Sequence, residues 1–90
     1  MAAIAIGDCT VTTEAQFAGA KLVKVVTPAT ADDGDTVDVS TVCGTTIYNA
    51  YCLGATDGYI TAAVSAAGVV TIPGSTDNEA RSIYVLCGRI

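Results

Sequence analysis

The chain has 90 residues and a formal net charge of −5, with 51% hydrophobic and only 14% charged residues. This length supports one domain, residues 1–90. The four basic residues form no patch of the kind that binds nucleic acid or an anionic membrane surface. Because a typical soluble domain is about 25% charged, we expect a homo-oligomer whose outer surface is partly covered by other subunits.

The first residues, MAAIAIGDC, have neither the charged segment nor the long apolar segment of a secretory signal peptide. No apolar run approaches the roughly 20 residues of a membrane span. We therefore expect a chain made in the cytoplasm without a signal peptide and without a membrane partner.

Short runs of β-branched and aromatic residues alternate with turn signals, and no stretch keeps a helical period. The sequence predicts an all-β fold, a small antiparallel β-sandwich or barrel of about seven short strands. Residues 14–20 fit either a helical turn or a loop. The seven predicted strands are 9–13, 21–27, 36–40, 46–53, 59–65, 69–72 and 82–87.

Two hairpins are predicted, at Asp57-Gly58 and at the AAG segment that precedes Val69. Pro73 ends the strand before it, and a polar loop follows. Apolar residues alternate cleanly only in the middle hairpin, which joins the strands 59–65 and 69–72. In 46–53 and 82–87 both faces carry apolar groups, which predicts strands covered on both sides, the second layer being a neighbouring subunit.

The segment VVTPATADDGDTVDVS, residues 25–40, holds four of the nine carboxylates. Asp32, Asp33 and Asp35 are candidate calcium ligands, because calcium takes several carboxylate and carbonyl oxygens. Their spacing does not match an EF-hand and no glutamate closes the loop. Asp, Gly and Thr are also ordinary turn residues, so we favour a solvated turn and expect no metal or cofactor.

The four cysteines are Cys9, Cys43, Cys52 and Cys87. They form no closely spaced pairs, and the chain has no histidine, which argues against a zinc site. Buried thiols and two disulfides both remain open, and four cysteines allow three connectivities. We favour disulfides, Cys9 with Cys43 and Cys52 with Cys87. The second pair rests on each cysteine sharing a strand face with apolar residues.

A non-enzymatic role is favoured, since neither a cysteine nor a serine nucleophile has a histidine to activate it. The acidic residues cluster in turns and not in an apolar cleft that would raise the pKa of one of them. The tyrosines could stack on a ligand, but such residues more often border an interface. The interface candidates are Tyr48, Tyr51, Tyr84 and Leu86.

Three segments together resemble small virion proteins of tailed bacteriophages, of the capsid decoration or cement type. They are AKLVKVVTPATADDGDTVDVST, TIYNAYCLGATDG and VVTIPGSTDNEARSIYVLCGR, from about residue 20 onward. The resemblance implies a β fold, a dimer or trimer, and a place on the capsid surface that stabilises the lattice of the major capsid protein. It implies no catalytic residues, and the four cysteines depart from its pattern.

Two other functions stay open at this point. One is another self-assembling structural subunit, of a tail tube, fibre or filament. The other is a β-sandwich module that binds calcium or carbohydrate.

Overall fold

A computed structural model describes residues 3–17, 19–44, 46–56, 58–65, 67–74 and 76–88. These residues form nine strands, a four-residue α-helix and a single 3-10 turn at Ile6–Asp8, which confirms the all-β prediction. The helix α1 spans Ser40–Cys43. The strands are β1 (Ala3–Ile4), β2 (Thr10–Phe17), β3 (Ala20–Val26), β4 (Thr36–Asp38), β5 (Ile47–Gly54), β6 (Gly58–Thr61), β7 (Ala63–Val64), β8 (Val69–Thr71) and β9 (Arg81–Gly88).

The strands form two sheets that pack around one core, a sandwich and not a barrel. One sheet has the order β1-β4-β8-β7, and the other has the order β2-β3-β9-β5-β6. Every pair is antiparallel except β1 with β4, which is parallel. Within the described residues the predicted count of about seven strands is therefore too low by two.

The two extra strands have local causes. The predicted strand 59–65 divides at Ala62, where the chain leaves the five-stranded sheet as β6 and enters the four-stranded sheet as β7. The backbone N–H of Ala62 still donates to the carbonyl of Ala50, at 2.9 Å, so the chain turns this corner without losing its hydrogen bond. The second addition is β1, a two-residue strand too short to leave a pattern in the sequence.

Two predicted boundaries also change. Residues 14–17, expected to form a helical turn or a loop, continue β2, and the pairing with β3 shifts between Thr13 and Ala15. The strand predicted at 36–40 ends at Asp38, because Asp38 Oδ1 accepts from the N–H of Ser40, 3.0 Å away, where α1 begins.

Both predicted hairpins connect paired strands. β5 and β6 pair up to Gly54 opposite Gly58, while Asp57 itself lies outside the described residues. The turn from β7 to β8 contains Gly68 at φ +81°, and Ser65 Oγ accepts from the N–H groups of Ala67 and Val69 at 3.3 Å. Glycine suits this turn because a side chain is disfavoured at positive φ.

The core is built from small and β-branched side chains contributed by both sheets, with three of the four cysteines among them. In β9, residues alternate strictly between buried and half-buried from Arg81 to Leu86. The buried apolar residues are Val23, Val25, Ala31, Val37, Val39, Cys43, Ala50, Cys52, Ala62, Val70, Ile72, Ile83, Val85 and Cys87.

A buried arginine closes one end of the core. Arg81 is 1% exposed, and its guanidinium donates to the carbonyls of Ala31 (3.2 Å), Glu79 (2.5 Å) and Thr76. Its backbone N–H donates to Thr27 Oγ1 at 2.8 Å. One side chain therefore joins the loop after β3 to the loop before β9.

Candidate assembly surface

One face of the five-stranded sheet packs on the core, and the other is uncovered in the described part of the chain. The register aligns its outward side chains in rows that cross β3, β9 and β5: Leu22 lies opposite Leu86, and Lys24 lies opposite Tyr84. Tyr51 lies on the other side of Tyr84. We call this surface the tyrosine face; it comprises Leu22, Lys24, Val26, Asn49, Tyr51, Leu53, Tyr59, Thr61, Ser82, Tyr84 and Leu86.

Three tyrosines meet at the centre of the tyrosine face. The rings of Tyr51 and Tyr59 stack with centroids 5.2 Å apart and 15° between their planes. Tyr59 meets Tyr84 in an edge arrangement at 6.4 Å, and the Lys24 ammonium lies 5.8 Å from the Tyr84 ring centroid. Asn49 Nδ2 donates to Tyr51 Oη at 2.7 Å. These contacts hold the rings in a fixed, half-exposed cluster.

The tyrosine face exposes apolar area that a small monomer would normally cover. Tyr59 is 59% exposed and Leu53 is 42% exposed, and none of the face's side chains is buried. Scattered exposed apolar residues are ordinary, but a contiguous set centred on aromatic rings is typical of an interaction surface.

Charge is distributed unevenly around this sheet. None of the nine carboxylates lies in β3, β5, β6 or β9, although the whole chain carries −5. Lys24 is the one charged residue on the tyrosine face. In the described part of the chain the acidic groups lie in the 3-10 turn, in β2, in β4 and in loops, so two copies of the tyrosine face would bring no carboxylates together.

The predicted interface residues do not all lie on one surface. Tyr51, Tyr84 and Leu86 share the tyrosine face. Tyr48 lies at the register shift between Ile47 and Asn49, where it is 59% exposed. The sequence alone does not identify Tyr59 and Lys24 as interface residues, because only the strand register shows that they meet the other members of the face.

In the acidic loop, residues 32–35, carboxylates accept hydrogen bonds from backbone N–H groups. Asp35 Oδ2 accepts from the N–H of Asp32 at 2.9 Å, and Asp32 Oδ1 accepts from the N–H of Asn78 at 2.9 Å. Asp77 Oδ1 accepts from the N–H of Asp33 at 3.2 Å. Among the described residues no three potential metal ligands converge, so the calcium hypothesis for Asp32, Asp33 and Asp35 gains no geometric support.

All four cysteines are free thiols in this structure, and the predicted pairing of Cys52 with Cys87 is wrong. Both do face the core, as their strand parity predicts, but Cys52 pairs with Ile83 across the β5–β9 ladder. Four residues along a strand span about 13 Å, whereas a disulfide needs Cα atoms within about 7 Å.

The predicted pair of Cys9 with Cys43 is not formed either. The thiol of Cys9 lies 3.6 Å from the carbonyl oxygen of Ala5, to which it donates. The Cys43 side chain lies near Cys87 instead, in the same core cluster. The pKa of Cys43 is raised to about 12, mainly by burial and in the same direction by the neighbouring Cys87.

Comparisons with family models, curated proteins and solved structures found no match for this chain. The described residues enclose no pocket that would suit a small-molecule substrate. No helix among them has the length and hydropathy needed to cross a membrane. The most specific surface that the described residues offer is the tyrosine face.

Proposed function

We propose that this protein is a non-enzymatic structural subunit of a virion, of the capsid decoration type, that assembles through its tyrosine face. The observation that carries the proposal is the contiguous, carboxylate-free aromatic cluster of Tyr51, Tyr59 and Tyr84 on an uncovered sheet. Assembly by such a face needs no titratable group, no metal and no pocket. The virion setting is supported by the resemblance of the three segments quoted above.

The first occupant of the tyrosine face is a second copy of the chain. The tyrosine face together with the outer face of the adjoining strand β2 spans five strands, spaced about 4.8 Å apart and up to eight residues long, and presents roughly 600 Å². Two such faces together bury about 1,200 Å², the lower limit for a specific interface. Because a twofold interface uses the same patch twice, a face whose one charged residue is Lys24 brings few like charges together.

A filament subunit is the second candidate, and one observation favours it. β2 is an edge strand of eight residues, and Thr10 to Gln16 are all exposed. Long edge strands are templates for adding another strand, and here the protective features are one glutamate and one register shift. Strand addition at β2 would extend the sheet and leave the tyrosine face available.

A carbohydrate-binding role is disfavoured by the ring geometry. Sugars stack on open aromatic faces, whereas Tyr51 and Tyr59 cover one face of each other. The part of each ring that remains open includes its edge, which suits packing against another protein.

The test is the solution mass of purified variants, measured by size-exclusion chromatography with light scattering over a wide concentration range. We expect a dimer or trimer for the wild type, and a dissociation constant at least about 30-fold higher for Tyr51→Asp and Tyr84→Asp, since a buried charge at the centre of an interface is costly. Thr41→Asp, at an exposed position of α1, is the matched control and should assemble normally.

Three outcomes separate the candidates. A closed dimer or trimer lost in both tyrosine variants, with unchanged melting temperatures, supports the decoration subunit. Open-ended polymers seen by electron microscopy, in the tyrosine variants as well, support the filament. A wild-type monomer at every concentration, or assembly unchanged by Tyr51→Asp, contradicts a function that depends on the tyrosine face.

A further inference from the structure

Two cysteines that no strand ladder pairs directly are brought together where α1 meets β9. Cys43 is the last residue of α1, and Cys87 is near the end of β9. Both are 0% exposed and belong to the same core cluster. They lie about 44 positions apart in the chain, so only the tertiary fold makes them neighbours.

The backbone fixes this approach. The chain leaves α1 and runs directly along the end of β9: Gly88 N–H donates to the carbonyl of Thr46 at 2.9 Å, and Ile47 pairs with Cys87. Cys43 therefore lies only a few residues before the point where the two segments are joined. Neither end of this short connection can move far without breaking the β5–β9 ladder.

The side chains complete the contact. The Cys87 thiol is directed to the carbonyl of Lys21, with Sγ 3.8 Å from the oxygen, which leaves its sulfur lone pairs available as an acceptor. The Cys43 side chain belongs to the same buried cluster, and Cys87 is near enough to raise the pKa of the Cys43 thiol. A disulfide bond of about 2.05 Å then requires these two side chains to approach each other within the core they share.

We propose that Cys43 and Cys87 form a disulfide that joins α1 to β9 when the protein folds or opens in an oxidising environment. The oxidant is a low-molecular-weight disulfide. One cysteine thiolate attacks it and releases one small thiol, and the second cysteine then attacks the mixed disulfide and releases the other. Two protein thiols and one small disulfide thus become one protein disulfide and two small thiols.

Burial determines when this reaction happens. In the folded protein both thiols are inaccessible, and the raised pKa of Cys43 leaves almost no thiolate at neutral pH. The bond therefore forms during folding or local opening, and once formed it is protected from reductants. A long closed loop makes the constraint on the unfolded chain large.

The test begins with the wild-type chain, denatured and then refolded with oxidised glutathione or with reductant. Remaining thiols are alkylated with iodoacetamide under denaturing conditions, and the intact mass is measured. We expect two adducts after oxidising refolding, on Cys9 and Cys52, and four after reducing refolding. Chymotrypsin, which cleaves after Tyr48 and Tyr51, separates Cys43 from Cys52 and identifies the partner of Cys87.

Variants give the matched controls. Cys43→Ser and Cys87→Ser should lose the bond, whereas Cys9→Ser and Cys52→Ser should keep it. The oxidised wild type should melt about 10 °C or more above the reduced form, and that difference should vanish in Cys43→Ser. Should a serine variant fail to fold, the peptide map of the wild type still decides.

Four adducts on the oxidised wild type would overturn the proposal. So would a peptide map that links Cys87 to Cys52, Cys43 to Cys9, or either Cys43 or Cys87 to another molecule. The outcome is independent of the tyrosine face, since a monomer can carry this bond and a reduced protein can assemble.

Discussion

Replacing Arg81 with methionine tests whether its buried guanidinium holds the end of the sandwich together. Methionine has a similar length and packs well in apolar surroundings, so the substitution removes the hydrogen bonds with little loss of packing. The affected partners are the carbonyls of Ala31, Thr76 and Glu79, which lie in the loops before and after the strands of the core.

The expected loss is large for a domain of this size. A hydrogen bond to a charged group contributes about 1.5–3 kcal/mol, and three of them would give roughly 4–9 kcal/mol. Because the loop carbonyls regain some water when the guanidinium is removed, we expect a net loss of about 4 kcal/mol in the free energy of unfolding. Total stabilities are about 5–15 kcal/mol, so Arg81→Met should be close to unfolding at 25 °C.

Urea denaturation followed by circular dichroism measures this loss. Arg81→Lys is the matched control: it keeps a positive charge but cannot donate in the planar fork that reaches several carbonyls, so we expect an intermediate loss. A change below about 1 kcal/mol in Arg81→Met would refute the assignment, because the three carbonyls would then not depend on the guanidinium.

Two further predictions concern the thiol pair and the turns. The pKa of Cys43 is about 12 in the folded chain, against 9.0 for an ordinary thiol. The neutral Cys43 thiol therefore contributes fully to the free energy of unfolding below pH 9, and this contribution is lost as the pH rises to 12. Under reducing conditions, urea midpoints from pH 8 to 11 should fall more steeply for the wild type than for Cys43→Ser. Gly68→Ala should cost about 2–3 kcal/mol in the same assay, because Gly68 has φ +81° and an added Cβ would lie 3.0 Å from the Gly44 carbonyl oxygen. Gly34→Ala is the control, because Gly34 has φ +84° and an added Cβ would meet nothing within 4 Å; it should cost only about 1 kcal/mol. Equal losses in the two variants would contradict a steric clash between the Cβ at position 68 and its neighbours.

The strands could be predicted from the sequence because each one has a local signal. All seven predicted segments contain observed strands, and the strict burial alternation of β9 follows from its apolar residues. The β6–β7 division could not be predicted: Ile60, Ala62 and Val64 keep the same parity through the corner. Parity reports which face a residue occupies and not which sheet the strand has joined.

The candidate site, too, could be predicted from the sequence only as far as the pattern within each single strand allows. Tyr51 and Tyr84 are recognisable as half-buried aromatics in strands, but their contact depends on the β5–β9 register, and register depends on the whole ladder. The cysteines show the limit most directly. Strand parity correctly places Cys52 and Cys87 towards the core, yet their four-residue offset excludes the bond. The actual neighbour, Cys43, is in a four-residue helix that has no periodic signal.

The same strands supply the core and the proposed assembly surface, but through alternate residues, so substitutions can change stability and assembly separately. In β9, Ile83 and Val85 are buried in the core, while Tyr84 and Leu86 are on the tyrosine face. A one-residue slip of β9 would exchange the two sets and expose the core, so the fold can offer this face only in its native register. Tyr84→Asp should therefore lower assembly with little change in the melting temperature of the monomer. Val85→Asp should unfold the chain, because a carboxylate would replace a side chain with no exposed area. If Tyr84→Asp also lowered the melting temperature of a strictly monomeric sample by as much, the tyrosine cluster would be part of the core of the single chain and not an assembly surface.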